Sequence, residues 1–114
     1  MRRLLAVLLL AGCASWTAVP VRVLVYNIHA GRDAAGADNL QRVASIIRES
    51  DADIVLLQEV DRKTRRSGGA DQMAILMELT AMDGAFGKSL DYQGGDYGIA
   101  TLSRWPIAGS ETVP

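Results

Sequence analysis

Apolar positions along the chain predict a strand, a helix and a second strand in the region after residue 20. Residues 21–28 (VRVLVYNI) are rich in β-branched side chains, which are typical of a β-strand. Residues 53–59 (DIVLLQE) form an almost continuous apolar run, which predicts a strand covered on both faces. Residues 38–50 between them have the apolar spacing of an amphipathic helix. Its apolar stripe consists of Leu40, Val43, Ala44 and Ile47.

The order of these three elements predicts a β-α-β unit. Such a unit usually places its two strands parallel in one sheet, so their carboxyl ends share one edge. The helix is expected to begin with Asp38 as its N-cap residue and Gln41 as the partner in a capping box.

The next segment predicts a second helix. Residues 61–70 are polar and glycine-rich, which indicates a loop. Residues 71–82 then repeat apolar side chains on one helical stripe, and Gly84 follows as the expected stop signal.

The last third of the chain predicts a β-hairpin. Residues 86–92 and 97–103 have strand character, and Gly94 and Gly95 lie between them at the expected turn. A further strand is expected to begin near Ala108. The chain shows no internal repeat and no linker that would mark a second domain.

The amino terminus predicts an export signal with a lipid attachment site. Arg2 and Arg3 precede a short apolar stretch, residues 4–10, which is too short to span a bilayer. The segment ends in Leu-Ala-Gly-Cys, which resembles the lipobox of bacterial lipoproteins, with Cys13 as the lipidated residue. The alternative is an ordinary secretory signal with an incidental cysteine.

These features divide the chain into a signal peptide (1–12), a tether (13–20) and a domain (21–114). The expected location is the cell envelope, where a lipid anchor on Cys13 would hold the protein to a bacterial membrane. Because Cys13 is the only cysteine, an internal disulfide is excluded and the domain depends on its apolar core.

Composition adds limits on size and partners. The chain has 114 residues, of which 49% are hydrophobic and 22% charged, so it is long enough for one small domain. The formal net charge of -1 excludes a strong overall basic field of the kind that attracts nucleic acid. A local basic patch remains compatible with this value.

Two polar residues, Asn27 and Glu59, fall at the carboxyl ends of the two strands of the β-α-β unit. Open α/β sheets place ligands at such strand ends. A carboxylate and an amide oxygen there are suitable ligands for a hard cation such as Mg²⁺. The alternative is that Glu59 pairs with Arg62 or Lys63 in solvent and that Asn27 is a turn residue.

Three segments, in order along the chain, resemble signatures of the endonuclease/exonuclease/phosphatase superfamily. They are residues 26–29 (YNIH), 57–61 (LQEVD) and 97–107 (YGIATLSRWPI). The resemblance implies an α/β fold in which this chain forms the amino-terminal half of a four-layer α/β sandwich with mixed sheets.

The resemblance also implies roles for individual residues. Glu59 would be a ligand of Mg²⁺ or Mn²⁺, and Asn27 would contact the metal or the scissile phosphate beside it. Two further motifs of the family, Gly-Asp-x-Asn and a late Ser-Asp-His, do not occur in the sequence. His29, the only histidine, is expected to support the site rather than to act as a general base.

Basic residues follow the glutamate and are candidates for phosphate binding. Arg62 and Arg65, in a run that also contains Lys63 and Arg66, would contact phosphate from the loop, together with Tyr97 from the hairpin. The alternative is a solvated basic loop and a tyrosine packed in the core.

The sequence therefore predicts a metal-dependent phosphoester hydrolase at the cell envelope, incomplete and inactive as these 114 residues alone. The alternative is a non-catalytic envelope lipoprotein that binds a ligand or partner. The substrate class is open between nucleic acid, phospholipid and small phosphoesters, and no protein partner is evident.

Overall fold

The computed structural model describes residues 15–113 as a mixed four-stranded β-sheet with two α-helices on one face. The strand order is β1-β2-β4-β3, with β1 and β2 parallel and the other pairs antiparallel. The elements in chain order are β1 (Val23–Asn27), α1 (Leu40–Ser50), β2 (Ile54–Arg62), α2 (Gln72–Thr80), β3 (Asp83–Tyr92) and β4 (Gly95–Ser103). This mixed α/β arrangement confirms the predicted fold class.

The predicted signal peptide and the lipidation residue Cys13 lie outside residues 15–113. Within that range, no helix combines the length and the apolar character needed to cross a bilayer. Export and lipidation therefore stay predictions from the sequence.

The β-α-β unit is present, but α1 begins later than the sequence predicts. Its N-cap residue is Asn39, and the capping box of Asp38 with Gln41 is wrong. The backbone of Asp38 forms a β-bridge with Arg32, which holds it extended before the helix begins. The Asp38 carboxylate instead accepts a hydrogen bond from the backbone N–H of Leu40 at 3.2 Å.

Strand β2 is covered on one face only in the described part of the chain, so the prediction of a strand covered on both faces is wrong. Val55 and Leu57 are buried beneath the helices. The alternate residue Leu56 points to the opposite face, where its neighbours Val25 and Ile99 are 60% and 56% exposed. Both described helices pack on the first face, and this leaves the second face apolar and open.

Helix α2 ends at Thr80 rather than at the predicted residue 82. Ala81 adopts the left-handed conformation (φ 55°) that ends the helix, so the role predicted for Gly84 is wrong. Gly84 instead lies in β3 beneath the helix. A Cβ atom at this position would lie 1.9 Å from the Cε atom of Met73, so the close packing of α2 on β3 requires glycine.

The predicted hairpin is present as β3 and β4. Gln93 and Gly94 connect the strands and both have positive φ angles, 48° and 80°, as expected for a two-residue hairpin turn. The strand predicted near Ala108 is wrong, because residues 104–113 contain no strand. This segment is instead fixed to the sheet by a hydrogen bond of 2.7 Å from the backbone N–H of Ile107 to Asp83.

A β-bulge interrupts the pairing of β2 with β4. Leu57 pairs with Ala100, but the next pair is Val60 with Gly98, so β2 contains one residue more than its partner. Gly98 is tightly enclosed at this point. A Cβ atom there would lie 2.0 Å from the carbonyl oxygen of Gly87 on β3.

Replacing Gly98 by Ala is therefore expected to lower the free energy of unfolding by about 1–3 kcal/mol, because the added methyl group forces the strands apart. Urea denaturation followed by circular dichroism measures the change. Gly109→Ala is the matched control, since no atom lies within 4 Å of a Cβ placed there. Equal unfolding midpoints for the two variants would contradict the prediction.

Candidate active site

Asn27 and Glu59 lie together, as the sequence predicts, at the point where the parallel pairing of β1 with β2 ends. Strand β2 itself continues to Arg62, beyond the predicted end at residue 59. The Asn27 side-chain amide donates a hydrogen bond of 2.9 Å to the Oε1 atom of Glu59. The hydrogen bond holds the Oε1 atom of Glu59 against β1 and does not involve the Oε2 atom. The alternative ion pair of Glu59 with Arg62 or Lys63 does not occur in residues 15–113.

The β-bulge explains why Glu59 reaches this edge. Gln58 and Glu59 together lie opposite Ile99 in the bulge, and Glu59 has a φ angle of 57°, in the left-handed region that non-glycine residues rarely adopt. Such backbone strain and such bulges concentrate at functional sites, where they redirect a side chain. The carboxylate is thereby turned out of the regular alternation of β2 and remains half-buried.

His29 lies at the exposed rim of the same edge. Its backbone N–H donates to the Oδ1 atom of Asn27 at 2.9 Å, and its Nδ1 atom is 3.7 Å from the Oε2 atom of Glu59. The short turn after β1 therefore orients Asn27, which in turn holds Glu59. His29 is near enough to add a positive charge beside the carboxylate when it is protonated.

A cleft of about 230 Å³ opens beside Glu59. The other residues that line it are Arg66, Leu90, Tyr92 and Tyr97. Burial raises the pKa of the Tyr97 hydroxyl, and the negative charge of Glu59 raises it further, so Tyr97 is a neutral hydrogen-bond donor at pH 7. The structure thus brings the predicted residue Tyr97 to the same cleft as Glu59.

Arg66 is held in the wall of this cleft by Asp61. Its Nε and Nη2 atoms donate to the two carboxylate oxygens of Asp61 at 2.7 and 2.8 Å. Asp61 is 0% exposed and also accepts from the Thr64 hydroxyl at 2.8 Å, while its backbone N–H donates to the Gln72 side chain at 2.9 Å. The hydrogen bond to Asp61 raises the pKa of Arg66, which stays cationic.

Arg62 and Arg65 occupy different surroundings. Arg62 donates to Asp96 at 3.0 and 2.6 Å and lies 4.4 Å from the centre of the Phe86 ring. Arg65 is exposed in the loop. Neither residue lines the cleft beside Glu59, and phosphate binding by them stays a prediction.

Sequence reasoning had grouped Arg66 with its basic neighbours and had not singled out Asp61. No local signal separates the arginines, because each is a basic residue in a polar loop. The residue that could have identified Arg66 is Asp61, an acidic residue directly after an apolar strand residue. A buried carboxylate requires a cationic partner, and the following loop contains the candidates.

The oxygen donors at this edge fit a magnesium ion. Mg²⁺ is commonly held by one or two carboxylates and completes its shell with waters and substrate phosphate oxygens. Glu59 supplies a half-buried carboxylate with its Oε2 atom free of hydrogen-bonded partners in residues 15–113. The described residues contain no cluster of three acidic, histidine or cysteine ligands.

The fold and site together define an α/β protein with a carboxylate and an amide at adjacent strand ends beside a cationic cleft. The model of the endonuclease/exonuclease/phosphatase family matches residues 24–114, and the chain belongs to this family.

Two solved structures resemble the chain. One is an endonuclease/exonuclease/phosphatase from Beutenbergia cavernae, 27% identical, with a TM-score of 0.60 over 79% of this chain and 27% of that chain. The other is an endonuclease/exonuclease/phosphatase family protein from Leptotrichia buccalis, 18% identical, with a TM-score of 0.61 over 79% of this chain and 40% of that chain. The second likeness shows the fold alone, and the chain spans less than half of either structure.

Proposed function

We propose that the protein hydrolyses phosphoesters with the help of a divalent metal ion, Mg²⁺ or Mn²⁺, bound at Glu59. The observation that carries the proposal is the carboxylate of Glu59, turned out of β2 by a bulge and held by Asn27 at the mouth of a cleft that contains Arg66. Members of the family are hydrolases that act on phosphoesters, which supports the reaction class.

In this proposal Glu59 binds the metal through its carboxylate, and Asn27 fixes the carboxylate through its side-chain amide. Asn27 also remains a candidate ligand of the metal or of the scissile phosphate. When bound, the metal polarises the phosphoryl oxygen and offsets the charge that develops there. Arg66 gives the cleft a positive charge that attracts an anionic substrate.

We further propose export to the cell envelope with a lipid anchor on Cys13. The basic residues, the short apolar stretch and the Leu-Ala-Gly-Cys sequence at the amino terminus support this location. The substrate would then be a phosphoester outside the cytoplasm.

A second candidate function is binding without catalysis, which the cleft beside Glu59 supports because Arg66 gives it a positive charge for an anionic ligand. In this reading the protein is a non-catalytic envelope lipoprotein that binds a ligand or partner and has no turnover. The first candidate expects the protein expressed from its complete reading frame to hydrolyse phosphoesters. The second candidate expects no hydrolysis.

The test is hydrolysis of bis(4-nitrophenyl) phosphate by that protein, measured with excess Mg²⁺ and again after chelation by EDTA. We expect turnover that EDTA abolishes and Mg²⁺ restores. The 114-residue segment is assayed beside it and is expected to show none. Turnover that survives EDTA, or none in the full product, would overturn the proposal.

A further inference from the structure

Arg66 is the most firmly positioned cation beside Glu59. A bidentate pair fixes the plane of its guanidinium against Asp61, which has no exposed surface. The two tyrosine rings of the cleft also lie close to the group. Its central carbon lies 4.5 Å from the centre of the Tyr92 ring and 5.6 Å from that of Tyr97.

The pair with Asp61 uses only part of the hydrogen-bonding capacity of Arg66. A guanidinium has five N–H groups, and the bonds from Nε and Nη2 occupy two of them. Within residues 15–113 the Nη1 atom makes no hydrogen bond to the protein. The end of the guanidinium that carries Nη1 therefore keeps its donors for another acceptor, and the side chain is 31% exposed.

The other basic residues near the site lack this combination. Arg62 is occupied by Asp96, Lys63 is exposed, and Arg65 is exposed with no side-chain hydrogen bond in the described residues. Only Arg66 shares the cleft with Glu59. A preorganised guanidinium loses little side-chain entropy when it binds an oxyanion.

We propose that Arg66, oriented by the buried carboxylate of Asp61, binds a phosphoryl oxygen of the ligand in the cleft beside Glu59. Asp61 is a positioning residue in this arrangement, since it acts through Arg66. The inference rests on the proposed function for the choice of phosphate as the oxyanion. The inference assigns phosphate binding to Arg66 alone among the basic residues of segment 62–66.

The test is phosphate affinity in the absence of metal, with EDTA present, for the protein expressed from its complete reading frame. The probes are inorganic phosphate and dimethyl phosphate, which stand for a terminal phosphate and a diester. Arg66→Lys keeps the charge but loses the fork geometry. It is expected to weaken binding of the preferred probe by about tenfold to a hundredfold, the range for charged hydrogen bonds.

Arg42→Lys is the matched control, with the same chemical change at an exposed residue of α1 that does not line the cleft, and is expected to keep the affinity of the unchanged protein. A second readout covers the case in which Arg66→Lys fails to fold. In the unchanged protein labelled with ¹⁵N-arginine, the Nε–H signal of Arg66 is expected to shift as phosphate is added, because its guanidinium gains an acceptor.

Equal affinities for Arg66→Lys and Arg42→Lys, or an Arg66 signal that does not move at saturating phosphate, would overturn the inference. Because these measurements contain no metal, they are independent of the hydrolysis assay. Failure of Arg66 to bind phosphate while Mg²⁺-dependent turnover persists removes this inference alone. If Arg66 binds phosphate but the protein shows no Mg²⁺-dependent hydrolysis, the proposed function is wrong and this inference stands.

Discussion

Glu59→Gln is expected to lower Mg²⁺-dependent phosphoester hydrolysis by at least about a hundredfold, because the metal contributes several kcal/mol of transition-state stabilisation. Glutamine has nearly the same size and can still accept the hydrogen bond from Asn27. The substitution therefore removes the negative charge and leaves the shape of the site. Initial rates with bis(4-nitrophenyl) phosphate at several Mg²⁺ concentrations measure the effect.

Glu49→Gln is the control for this experiment. Glu49 is an exposed residue of α1, and the substitution changes the net charge by the same amount without touching the site. Its rate is expected to equal that of the unchanged protein. A rate for Glu59→Gln that is also unchanged, with Mg²⁺ dependence retained, would exclude Glu59 as the metal ligand.

Asp61→Asn is expected to lower the free energy of unfolding by about 3 kcal/mol, because removal of one partner from a buried ion pair leaves the other poorly compensated. Asp61 accepts three side-chain hydrogen bonds, two from Arg66 and one from Thr64. The asparagine Nδ2 group is a donor and would face a donor of Arg66. Partial exposure of Arg66 lets water solvate its charge, which keeps the loss near the lower end of the range.

Urea unfolding of the variant measures this loss. The matched control is Asp91→Asn, since Asp91 also forms an ion pair, with Lys88, but its side chain is 88% exposed. Exposed pairs contribute roughly 0–1 kcal/mol, so this variant is expected to unfold near the midpoint of the unchanged protein. If Asp61→Asn behaves in the same way, Asp61 does not anchor the cleft wall.

The elements defined by local periodicity were predictable from the sequence. The β-branched first strand, the apolar stripe of α1 and the glycine turn of the hairpin each depend on neighbouring residues, and each is present. The segment 57–61 also predicted that Glu59 would lie beside Asn27 of the neighbouring strand. Asn27 and Glu59 are hydrogen-bonded there because parallel strands place their carboxyl ends on one edge.

The features that the sequence did not reveal depend on contacts that no local pattern specifies. Asp38 has the side chain of an N-cap residue, yet its bridge with Arg32 holds it extended. The apolar run of β2 does not predict whether one or both faces of the strand are covered. Arg66 bonds to Asp61 whereas Arg62 bonds to Asp96, and the second choice follows from the pairing of β2 with β4, which places Asp96 opposite Arg62.

The bulge in β2 makes the position of the glutamate depend on the number of residues in the strand as well as on their identity. Deleting Gln58 would leave two steps between Leu57 and Val60, which matches the two steps between Ala100 and Gly98 on β4. Regular pairing would then return, and the glutamate would alternate onto one face of the sheet. A homologous strand shortened by one residue would therefore keep its glutamate and lose the site.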